Sequence, residues 1–216
     1  MENTIKTGLF SRRKDITLTS TDAVSSKPEV PEIYSAQTEK YIKLNRIAQN
    51  NGIVLLGSDF FNSMPACELK QALGFDCCLY NRSFDGLTAA DSEAVYTNVI
   101  ADMHPSKILI QLGETDLERG FRSIPEIISS YRNLIASIRK HDRKCEIVIV
   151  SVCENNSGIQ PEEFNKQLEK LADENKCSFA DISAAFSNDA PDIKAFSLLK
   201  RFMRDRITFC EAMNMI

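Results

Sequence analysis

The chain has 216 residues, 43% of them hydrophobic and 26% charged, which suits one α/β domain with its own core, or such a domain plus a short tail. A formal net charge of −4, with Arg12-Arg13-Lys14 as the one short basic cluster, speaks against nucleic acid or an anionic membrane as a partner. No apolar run approaches the roughly 18 residues of a membrane span, and Met1-Glu2-Asn3-Thr4-Ile5-Lys6 lacks the apolar core of a secretory signal.

Residues 1–32 are rich in Ser, Thr, Lys and Asp, with Pro28 and Pro31 near the end and no sustained period. They read as a poorly structured tail, or a strap laid over a domain of residues 33–216. Residues 32–50 read as a helix through Ile33, Tyr41, Ile42, Leu44 and Ile47, stopped by Gly52. An alternation follows. Ile53-Val54-Leu55-Leu56 is an apolar run ending at Gly57, the mark of a buried parallel strand. Residues 60–73 form a helix, 77–81 a strand, 88–103 a helix and 107–112 a strand. Residues 123–140 carry Ile124, Ile127, Ile128, Tyr131, Leu134, Ile135 and Ile138 at helical spacing, behind a capping box at Ser123 and Glu126. A strand at 146–152, a helix at 161–175 and a strand at 177–180 complete the frame. Strands alternating with helices predict a three-layer α/β/α fold around a parallel sheet, with ligands beyond the carboxyl ends of the strands.

Three loops leave those ends. They are Leu55-Leu56-Gly57-Ser58-Asp59-Phe60, Asn81-Arg82-Ser83-Phe84-Asp85-Gly86, and Gln111-Leu112-Gly113-Glu114-Thr115-Asp116. In order and spacing they resemble the GDS, N-x-G-x-x-G and G-x-N-D blocks of the SGNH/GDSL hydrolase family. The stretch from Glu163-Phe164-Asn165 to Phe179-Ala180-Asp181 is similar to that family's late helix and following strand. The resemblance covers residues 33–216. It implies a five-stranded, flavodoxin-like sheet of order 2-1-3-4-5 and an ancestry in ester or acyl hydrolysis.

The catalytic positions are substituted. The resemblance places the nucleophilic serine at Asp59, the block-two glycine at Ser83 and the block-three asparagine at Thr115. The final Asp-x-x-His best fits Asp205-Arg206-Ile207-Thr208, so Asp205 would orient a base that has become Thr208. A carboxylate at the nucleophile position repels a developing oxyanion, and threonine is no base near neutral pH. The two histidines, His104 and His141, fall at the opposite, amino-terminal edge of the strands. The expected function is therefore that of a pseudoenzyme binding a small molecule or a protein, with no cofactor and no metal. The alternative is an esterase using Ser58, which reads more simply as the cap of the helix that follows. A third reading joins Asp59, Asp116 and Asp205 for acid–base chemistry or a hard cation.

Seven scattered cysteines without metal spacing predict buried, free thiols in a cytoplasmic protein. Deletion of residues 1–25 is expected to leave the melting temperature nearly unchanged in calorimetry. A large fall would mark a structural element in that segment.

Overall fold

Apolar runs that do not alternate with polar residues need cover on both faces. The computed structural model describes residues 27–120, 122–152, 161–186 and 190–203. Its strands are β1 (Ile53–Gly57), β2 (Leu79–Asn81), β3 (Lys107–Gln111), β4 (Glu146–Val150) and β5 (Ser178–Ala180). All pair in parallel, in the order β2-β1-β3-β4-β5. Every residue of β1 and β3 is buried. Val54, Leu56, Ile108, Ile110, Ile147 and Ile149 point into one core, and Ile53, Leu55, Leu109, Val148 and Val150 into the other. This alternation is the two-residue period of a pleated strand covered on both sides.

The helices that provide the cover are α1 (Ser35–Asn45), α2 (Asp59–Ser63), α3 (Ala66–Ala72), α4 (Ser92–Val95), α5 (Glu114–Arg119), α6 (Ile124–His141), α7 (Glu162–Glu174) and α8 (Pro191–Met203). Tyr41 of α1, Val95 of α4, Leu134 of α6 and Leu168 of α7 pack on one face. Phe61, Leu69 and Phe196, from α2, α3 and α8, pack on the other. The result is the α/β/α sandwich that the sequence pattern predicts. The capping box at Ser123 and Glu126 is present. Helix α8 buries Ala195, Phe196, Leu199 and Met203, a helical spacing that the sequence reading passed over.

Three helices differ from expectation. The segment 60–73 is two helices, because Pro65 offers no N–H and Met64 before it is extended (φ −63°, ψ 123°). The expected helix 88–103 begins only at Ser92 and widens into a π-helix over Tyr96–Ile100, then tightens to a 3-10 turn over Ala101–Met103. Thr97 and Asn98 each hydrogen-bond, at 2.8 Å, the carbonyl four residues back, competing with the helical ladder where it changes. Residues 32–50 become a 3-10 turn over Glu32–Tyr34 and then α1. There Ile33, Ile42, Leu44 and Ile47 are exposed rather than core-facing. The inward side of α1 is instead aromatic and polar. Tyr41 and Gln37 donate to the Ser83 carbonyl, and Asn45 to that of Val99.

Before α1, Lys27 pairs with Asp102 at 3.1 Å and the Pro28 carbonyl accepts from Asn98. Residues 1–26 lie outside the described residues. The cysteines also depart from expectation: Cys145 is buried, Cys67 is exposed, and Cys77, Cys78 and Cys177 are half-buried. None of these five is in a disulfide; Cys153 and Cys210 lie outside the described residues.

The exit of β3 is held by a single side chain. The fully buried Tyr131 hydroxyl donates to the Leu112 carbonyl and accepts from the Leu112 amide, both at 2.9 Å. Tyr131→Phe strands both backbone groups without water. It should lower stability by about 1–3 kcal/mol in urea denaturation.

Candidate functional site

Strand β1 delivers its loop between two others. Ser58 N–H donates to the Gln111 carbonyl (3.2 Å), Arg82 N–H to Leu55 (2.9 Å) and Phe84 N–H to Gly57 (3.0 Å). Gly57 must be a glycine here. A Cβ would lie 2.7 Å from the Gln111 carbonyl oxygen and 2.8 Å from Phe61 Cβ. Asp59 therefore opens α2 directly above the sheet edge, where the helix amides favour negative charge. Its Oδ1 accepts the Gly86 N–H at 2.5 Å and the Ser58 hydroxyl at 3.3 Å.

Two more carboxyl groups stand beside it. A hydrogen bond with Asp59, reinforced by that group's charge, raises Asp85 above the ordinary range. Glu114, at the start of α5, is pushed up to about 7. Burial is the main cause, helped by the charges of Asp59 and Glu118 and opposed by bonds from Gln111 Nε2 (2.5 Å) and the Phe60 amide. Each of the three loops thus contributes one acid. Among the described residues no group of three or more His, Cys, Asp or Glu side chains is arranged to hold a metal ion.

The positions singled out in the sequence divide. Asp59, Ser58 and Thr115 come together: Ser58 Oγ lies 2.6 Å from Thr115 Oγ1, and both residues are buried. Ser58 does sit at the N-cap of α2, but its side chain makes no capping bond, because the hydroxyl is committed to Thr115 and Asp59. Ser83 is buried next to this group, in the loop whose Phe84 amide reaches Gly57. Its amide is taken by Asn81 Oδ1 at 3.1 Å, and its carbonyl accepts from Tyr41 and Gln37, both at 2.7 Å. Asp116 does not join Asp59; its Oδ2 takes the Ala89 N–H at 2.8 Å and so ties the third loop to the second. Burial raises Asp116 as well. Asp205 and Thr208 lie outside the described residues. His104 ends the 3-10 turn before β3 and His141 ends α6 before β4, both at the amino-terminal edge.

Of the trio of acids foreseen in the sequence, Asp116 bonds the Ala89 amide and Asp205 lies outside the described residues; Asp85 and Glu114 are the described acids that the Asp59 charge acts on. The signal was one acid in each loop at the carboxyl edge; which of them face inward depends on the loop conformation.

Chemically, the group is rich in acceptors and poor in free donors. The Ser83 and Gly86 amides and the Thr115 hydroxyl, which could meet a developing oxyanion, already serve Asn81, Asp59 and Ser58. Among the described residues no imidazole is joined to Ser58 by a hydrogen bond.

No family model and no curated protein sequence matches this chain. Solved structures do. A Streptococcus pneumonia protein described as a platelet activating factor superposes with TM-score 0.66 at 16% identity, over 78% of this chain and 92% of its own. A GDSL-like lipase from Bacteroides thetaiotaomicron gives 0.62 at 14% identity, over 77% and 94%. A carbohydrate esterase family 3 protein from Talaromyces cellulolyticus gives 0.59 at 14%, over 70% and 95%. The fold is that of the SGNH/GDSL hydrolases.

The Glu114 carboxyl carries a pH signature. Its folded value is raised, so the folded chain keeps a proton that the unfolded chain releases near 4.5. Stability from this group is full below that pH and is lost as pH climbs towards about 7. Glu114→Gln should therefore gain melting temperature relative to the parent as pH rises through this window and hold a constant lead above it.

Proposed function

We propose that this chain is an SGNH/GDSL hydrolase-like pseudoenzyme, which has lost ester hydrolysis and uses the retained scaffold to bind a small molecule or a protein. The observation that carries this reading is the Asp59 carboxylate at the nucleophile position, holding the Gly86 amide at 2.5 Å. An acyl oxyanion formed there would meet negative charge where it needs donors. Asp85 and Glu114 add to that charge whenever they ionise. With Asp205 and Thr208 as the matching positions for the orienting acid and the base, no imidazole would carry a proton.

The competing reading, an esterase using Ser58, loses support from the packing. Ser58 is fully buried and its hydroxyl is shared between Thr115 and Asp59. A nucleophile needs an open line to a carbonyl carbon and a base to take its proton. The third reading, acid–base work by converging acids, keeps Asp59 but would now run through Asp85 and Glu114. Among the described residues, the Ser83 and Gly86 amides and the Thr115 hydroxyl around them are already engaged. A cytoplasmic setting belongs to the same proposal. It is supported by five described cysteines outside any disulfide, and among the described residues no helix is long and apolar enough to cross a membrane.

Purified protein should leave short-chain acyl esters intact and should not be labelled by a serine-reactive fluorophosphonate. Asp59→Ser alone should stay inactive, since triad members act as a unit. Asp59→Ser combined with Thr208→His should recover weak turnover. Ester hydrolysis by the unmodified chain, abolished by Ser58→Ala, would refute the proposal in favour of the esterase.

A further inference from the structure

We infer that Arg82 is the receptor of a second binding site, one for a small oxyanion, separate from the acid cluster and formed where α1 crosses β2. Arg82 is only 6% exposed. Its guanidinium stands over two aromatic rings, 5.1 Å from the centroid of Tyr41 and 5.4 Å from that of Tyr80. Nε donates to Asn45 Oδ1 at 2.8 Å and Nη1 to the Asn81 carbonyl at 2.9 Å. Both partners are neutral. The ionisable groups that act on it are the phenols of Tyr41 and Tyr80 and the thiol of Cys67; among the described residues no carboxylate does.

A charge this far withdrawn from water normally has a counter-ion, because desolvation without one is costly. Here burial lowers the Arg82 pKa from its ordinary value, and no acid offsets it. Two of the guanidinium's five N–H groups are engaged. Nη2 hydrogen-bonds to no described residue. It is also absent from the sealed, unpartnered side-chain atoms, which are Thr38 Oγ1, Gln111 Oε1 and Asp116 Oδ1. Nη2 therefore keeps access to solvent, and the exposed Cys67 lies near enough to act on the guanidinium electrostatically.

The geometry selects the ligand class. The rings of Tyr41 and Tyr80 flank the guanidinium, so a ligand approaches its free edge in the guanidinium plane. Parallel N–H groups on that edge match two oxygens of one carboxylate or phosphate, a match that a spherical halide cannot make. The site also touches the second loop. Tyr41, which flanks Arg82, bonds the Ser83 carbonyl, and Arg82 itself precedes Ser83.

The test uses the full chain at constant ionic strength set with sodium chloride. Inorganic phosphate and acetate are titrated separately while the Arg82 Nε–H resonance of the unmodified chain, and the backbone amide resonances of residues 41 and 80–83 in it and in the variants, are followed by NMR. A saturable shift with either anion is expected, and the tighter of the two identifies the headgroup. Arg82→Lys, which keeps the charge and loses the fork, should bind about tenfold more weakly, and Arg82→Gln should not bind. No saturable shift with either anion in the unmodified chain overturns the inference, whether or not the variants fold. So does binding that survives unchanged in a folded Arg82→Gln protein.

Discussion

The close approach of Gly57 to Gln111 and Phe61 is the constraint on which the rest of the site depends. With less than 3 Å between a hypothetical Cβ and its neighbours, the chain can turn from β1 into α2 only at a residue without a side chain. That turn brings the first loop against the exit of β3 and lets the Phe84 amide reach the Gly57 carbonyl. Three loops from three strands are thereby held by backbone bonds, which do not depend on side-chain identity. The arrangement of the three loops is therefore compatible with many different side chains at their tips. Asp59 suits its place there, since a helix N-terminus welcomes a carboxylate.

What that carboxylate does next is electrostatic. It consumes the Gly86 amide and holds the proton on Asp85 through a hydrogen bond and its charge, while Glu114 holds its proton more tightly chiefly because it is buried, with the Asp59 charge adding to that. This edge of the sheet thus gathers carboxyl groups whose acceptors are largely engaged by hydrogen bonds within the protein. Arg82, near the start of the second loop, presents the opposite case. It is a buried positive charge among neutral partners. Tyr41 links the two regions, because one side chain both flanks the guanidinium and clamps the loop carbonyl at Ser83.

The architecture was legible in the residues. Apolar runs at 53–56 and 107–110 could be covered only from both faces, and their alternation with helices left a parallel sheet as the consistent arrangement. The order of the three loop blocks pointed to one edge as the candidate site, where Asp59, Ser58 and Thr115 do come together. Helix interiors were less legible. The break at Pro65 has a local cause visible in the sequence. The π-helix at Tyr96–Ile100 depends on side chains bonding backwards within a packed helix. The polar underside of α1 depends on what lies beneath it.

Side-chain partnership was decided by tertiary structure alone. Sequence spacing says which loops meet; it does not say which of several acids in those loops turn inward. Asp116 went to the Ala89 amide, Asp85 to Asp59, and Glu114 to Gln111 and the Phe60 amide. Likewise Ser58 left its expected capping role because a hydroxyl from another loop, on Thr115, lay 2.6 Å away. The exposed aliphatics of α1 and the half-buried cysteines follow the same rule. Strand burial is set by a two-residue period intrinsic to the chain. The partners of a polar side chain are set by the few ångströms between elements distant in sequence, and only the folded chain defines those distances.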